Sequence, residues 1–131
     1  MRITPDTNVL VRAIVGDDPG QTRLSRAALS NASLIVITVP VLCETVWVLR
    51  SSYRYQPAQI ALALRTLLRP AKVAVDRAAA EAGLAMLDKG GDFADGAIAA
   101  LGQQLGSDCF VTFDRRAAAL LAETGIRAQL L

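Results

Sequence analysis

Ser-Leu-Ile-Val-Ile-Thr-Val-Pro-Val-Leu-Cys-Glu-Thr-Val-Trp-Val-Leu-Arg, residues 33–50, is the stretch that decides how this chain folds. Its first six residues are short, branched and apolar throughout, the pattern of a strand covered on both faces. Thr38 stands where a helix cap is wanted. Pro40 falls in the first turn, where a missing N–H costs nothing. The spacing predicts a helix over 39–50, apolar on every side and therefore buried all round. A buried strand that feeds a helix is half of a unit that builds parallel sheets.

The same alternation recurs in both directions. Residues 2–6 read as a short strand and 7–15 as a helix, with apolar residues at 9, 10, 13 and 14. Gly16-Asp17-Asp18-Pro19-Gly20 breaks that helix. A second helix is expected over 21–30, with Leu24, Ala28 and Leu29 inward. Further helices are expected over 56–68, 77–88, 93–105 and 115–123, with Asp76 and Asp92 as N-caps. Short strands are expected over 72–75, 108–113 and 126–130. Pro5 removes a ladder donor, but at the end of its strand, where the donor is least needed. Strands alternating with helices predict α/β architecture: a parallel sheet with both faces covered. At 131 residues, with no repeat or linker, the chain reads as one domain spanning 1–131.

Composition narrows the chemistry. The chain is 53% hydrophobic and 20% charged, so a packed core is expected. It has no histidine, which removes every Ser-His-Asp and Cys-His triad and every Cys/His metal site. Cys43 and Cys109 lie in apolar runs. Their number allows one disulfide, but reduced thiols are expected in a chain that reads as cytoplasmic. No signal-peptide core follows Met1, and no apolar run is long enough to span a bilayer. Net charge is +2, too mild to identify a nucleic-acid partner, although 12 of the 14 basic residues are arginine, with Lys72 and Lys89 the exceptions.

Four acids stand in or beside apolar segments: Asp6, Glu44, Asp95 and Asp114. Isolated buried carboxylates cost several kcal/mol or take up a proton, so their retention suggests that they gather around a cation. Asp6 and Asp114 each follow a strand and precede a helix. The crevice beyond the carboxyl ends of parallel strands is the usual ligand site, and the rival reading is that each merely caps its helix. Glu44 is expected inside a buried helix, paired either with a cation or with an arginine. Capping accounts for Asp92, which could also be an outer member of the metal site. Asp95, the third helical residue, could bond back to the cap or serve as a ligand; it opens an apolar face of Ile98, Ala99, Leu101 and Leu105. Thr7, Asn8 and Thr112 could orient a carboxylate or a water, or simply close turns. Arg115 and Arg116 could grip phosphates, or form a solvated face. Oxygen ligands without His or Cys suit Mg²⁺ or Mn²⁺, and such ions support phosphodiester cleavage without histidine.

Four motifs then stand in a familiar order: Ile-Thr-Pro-Asp-Thr-Asn-Val-Leu-Val-Arg at 3–12, Glu-Thr-Val-Trp-Val-Leu at 44–49, Asp-Phe-Ala-Asp-Gly-Ala-Ile-Ala-Ala at 92–100 and Thr-Phe-Asp-Arg at 112–115. Together they resemble the PIN-domain ribonucleases, and among them the VapC-like toxins of toxin–antitoxin pairs. The resemblance implies a three-layer α/β/α sandwich with a central parallel β-sheet. It also implies a Mg²⁺-dependent endoribonuclease, with Asp6, Glu44, Asp95 and Asp114 on the family's acidic positions and Asp92 on one that many members share. RNA as substrate, a cognate antitoxin and a homodimer follow from the same resemblance. A PIN fold that holds RNA or protein without cutting is the alternative; such members usually lack one or more of the acids. Gly96 departs from the alanine that relatives more often carry.

Overall fold

In the computed structural model, which describes residues 1–131, every strand pairing is parallel. The pairs form two ladders, one in each of the two units into which the chain divides, Met1–Val75 and Asp76–Leu131.

In the first unit, β1 (Arg2–Ile3), β2 (Leu34–Val36) and β3 (Val73–Ala74) lie in the order β1-β2-β3. Arg2 is in register with Leu34, and Ile35 with Val73. Helix α1 (Thr7–Val15) packs on α2 (Pro19–Asn31) and α3 (Val39–Ser51), and α4 (Pro57–Leu68) packs on α3. Leu10, Ile37, Leu42, Leu49, Ile60 and Leu64 are fully buried among them. Helix α1 ends at Gly16, whose φ of 73° lies in the left-handed region that glycine adopts without penalty. Two basic side chains close exposed helix ends. Arg26 donates to the Ala13 carbonyl at 3.0 and 3.1 Å. Lys72 Nζ donates to the carbonyls of Leu29 (2.8 Å), Ser30 (2.8 Å) and Ala32 (3.1 Å) where α2 ends.

Strand β1 stops at Ile3, before Pro5. Helix α2 starts at Pro19, which occupies its first turn behind the Asp18 cap. Its inward face is Thr22 and Ser25, while Leu24 is 67% exposed. Helix α3 is not buried all round: Leu42, Thr45, Val46 and Leu49 face in, but Glu44 and Trp47 face out. An all-apolar pattern carries no information about which stripe meets neighbours; packing against α1 and α4 makes that choice. Thr38 occupies the cap position of α3, but its hydroxyl makes no capping bond.

In the second unit, α5 (Arg77–Asp88) packs on α6 (Phe93–Gln104), and β4 (Phe110–Thr112) pairs with β5 (Ala128–Leu130) on either side of α7 (Arg115–Glu123) in sequence. Met86, Ala99 and Leu121 form a core cluster, with Phe110, Leu120, Ile126 and Ala128 against it. Gly83 and Gly96 let α5 and α6 approach closely. A Cβ on Gly96 would sit 2.7 Å from the Ala82 carbonyl carbon, and one on Gly83 would overlap the buried Phe93 ring. This approach selects the inner face of α6: Phe93, Gly96, Ala97, Ala99 and Ala100 are buried, whereas Ile98 and Leu105 of the expected apolar face are exposed. Cys43 and Cys109 are both half-buried thiols.

Candidate metal centre

Asp95 is the centre of the second unit's acidic group. It lies in the first turn of α6, half-buried, and makes no hydrogen bond or ion pair. Its carboxyl is held above the ordinary range, chiefly because burial strips it of water and then because the Asp92 and Asp114 charges stand nearby. Asp92 is the N-cap of α6 and accepts from the Ala94 amide at 3.1 Å. Asp95 does not bond back to it, so capping does not account for Asp95. Asp114 caps α7, accepting from the Ala117 amide at 3.0 Å. Its own amide donates to Thr112 Oγ1 at 3.0 Å, which fixes the turn that presents the carboxylate. Arg115 and Arg116 follow in the first turn of α7, and both are exposed.

In the first unit, Asp6 caps α1 and accepts from the Val9 amide at 3.0 Å. It shares a groove of about 280 Å³ with Asn8, Arg12, Gln21 and Ser25. Thr7 is buried beside it. Glu44 projects from α3 into solvent without an arginine partner, so the core ion pair weighed against a ligand role is not formed. Thr45, its neighbour, has a fully buried hydroxyl with no hydrogen-bond partner.

The expectation that these carboxylates are buried holds only in part, and only for Asp95. Asp6, Glu44, Asp92 and Asp114 are exposed. Caps at strand ends face water, and the first-turn amides meet their charge. Within neither unit do three acidic side chains gather closely enough to hold a metal ion by themselves. The donor chemistry around Asp95 nevertheless fits a hard divalent cation: three carboxylates of one unit, mutually repelling, with no cation paired to the innermost.

Sequence reasoning missed Arg12. Its Nε donates to Gln21 Oε1 at 2.7 Å, and one terminal nitrogen donates to Asp17 at 3.1 Å and to the Tyr53 hydroxyl at 3.3 Å. The available signal was spacing: Arg12 lies four residues after Asn8 and so shares its helix face.

A family model described as PIN domain matches residues 3–122, a span that includes all five acids. No curated protein matches the chain. No helix is long and apolar enough to cross a membrane.

Proposed function

The chain belongs to the PIN-domain family, a nuclease fold whose members bind nucleic acids, and from that premise we propose that it is a metal-dependent endoribonuclease. The observation that carries the reading is Asp95: a half-buried carboxylate, pushed toward protonation by its surroundings and left without a partner. A fold that only needed a helix cap there already has Asp92. The family match runs through both units, which supports treating residues 1–131 as a single working domain.

We assign Asp6, Glu44, Asp95 and Asp114 as the carboxylates that hold Mg²⁺ or Mn²⁺, with Asp92 as an outer member. When bound, such an ion neutralises phosphate charge and makes water a better nucleophile. The chain's own residues do the rest. Asp95, in the first turn of α6, and Asp114, the cap of α7, are placed by the starts of their helices. Thr112 sets the Asp114 turn. Arg115 and Arg116 are free to meet RNA phosphates, and Thr7 and Asn8 flank the Asp6 cap. The four motifs also support a VapC-like toxin role with a cognate antitoxin and a homodimeric form.

The test is cleavage of RNA in Mg²⁺ with and without chelator. Asp6→Asn and Asp95→Asn are each expected to abolish chelator-sensitive cleavage while the circular dichroism spectrum is unchanged. Full cleavage by both variants refutes the site. Coexpression with the protein of the neighbouring reading frame tests the toxin role, with rescue of growth as the expected result.

A further inference from the structure

We infer that the groove beside Asp6 is a subsite for the backbone of single-stranded RNA, with Arg12 as its phosphate anchor; this rests on the nuclease reading above. At about 280 Å³ the groove falls just below the ~300–1,000 Å³ typical of pockets for whole small molecules. It therefore suits one linked unit of a longer chain. Its polar lining is Asp6, Asn8, Arg12, Gln21 and Ser25, with Val9 and the exposed Leu24 side chain offering apolar surface beside them.

Arg12 is the feature that points to a phosphate. Gln21 holds its Nε, and Asp17 and Tyr53 share one terminal nitrogen. The Tyr53 hydroxyl in turn donates to Asp17 at 3.0 Å. Three partners from three segments thus fix the plane of the guanidinium, while its other terminal nitrogen has no protein partner. The side chain is 29% exposed. A guanidinium already ordered loses less entropy when it takes a ligand, and its fork matches phosphate oxygens. Arg12 lines the same groove as Asp6 and keeps one terminal nitrogen without a protein partner.

The experiment uses the full chain carrying Asp95→Asn, so that RNA is bound and not cut, with a single-stranded oligoribonucleotide as probe. Arg12→Ala in this background is expected to weaken binding about tenfold and to reduce the slope of log Kd against log salt by about 0.7, one phosphate contact. In the otherwise native enzyme it raises KM and leaves kcat within about twofold. Unchanged Kd and slope in a folded Arg12→Ala protein overturn the proposal. The second measurement needs no Arg12 variant: the Arg12 guanidinium ¹⁵N resonance should shift when RNA is added, and an unmoved resonance overturns the proposal. A shift produced by an acidic peptide but not by RNA also overturns it. Failure of the nuclease reading is separate: the wild-type chain would then show no chelator-sensitive cleavage, whatever Arg12 binds.

Discussion

Asp95 is the carboxylate that its surroundings accommodate least. Burial and the neighbouring Asp92 and Asp114 raise its pKa from the ordinary 3.8. The native state therefore holds this proton more tightly than the unfolded chain does. Its contribution falls as pH rises from 3.8 through the folded pKa, and above that the full penalty is present. Asp95→Asn should accordingly raise Tm at pH 7 in chelator, with the gain vanishing below pH 3.8. Thermal melts at the two pH values check this; equal melting at pH 7 would mean the charge is compensated after all. Lys72 is the opposite case, a charge the fold employs. Three carbonyls converge on its Nζ at the end of α2. Lys72→Met should cost about 1–3 kcal/mol in urea denaturation, because those acceptors lose a charged donor. Lys72→Arg should not restore it, since a planar fork does not reproduce three bonds to one nitrogen.

At the scale of elements, the α5–α6 contact reverses a general rule. Gly→Ala inside a helix ordinarily stabilises by roughly 0.5–1 kcal/mol. Here the added methyl at Gly96 meets the Ala82 backbone, which cannot rotate away, and at Gly83 it meets a buried ring. Gly96→Ala and Gly83→Ala should each destabilise by about 1–3 kcal/mol, as overpacking does, read from denaturation midpoints. This closeness could not be read from the sequence, because a glycine in a helix looks alike whether it is a weakness or a clearance. Helix limits were far more legible. Helices α1, α5 and α7 run as expected because an aspartate cap begins each and a glycine turn follows each. Strand limits were not, since a strand ends where its partner ends: residues 108–113 look extended, but only Phe110–Thr112 find β5. Asp6, Asp92 and Asp114 were legible as caps from their places at helix starts. Their exposure was not, since solvent access at a cap depends on what packs beside it.

At the scale of the whole molecule, the proposed carboxylates come from both units: Asp6 and Glu44 from Met1–Val75, and Asp95 and Asp114 from Asp76–Leu131. Neither unit gathers three acids closely enough to hold a metal ion alone. Mg²⁺ bound by the proposed carboxylates would stabilise the native state by mass action, about 2.7 kcal/mol at one hundred times Kd. Scanning calorimetry of the wild type should then show Tm rising with Mg²⁺. Asp6→Asn in the first unit and Asp95→Asn in the second should each remove that rise, although no residue is shared between the two changes. A rise that survives Asp6→Asn in full but disappears with Asp95→Asn would confine the ion to the second unit and dismantle the four-acid assignment. The calorimetric result is independent of any RNA, so it separates a chain that binds no metal from one that binds metal but has not met its substrate.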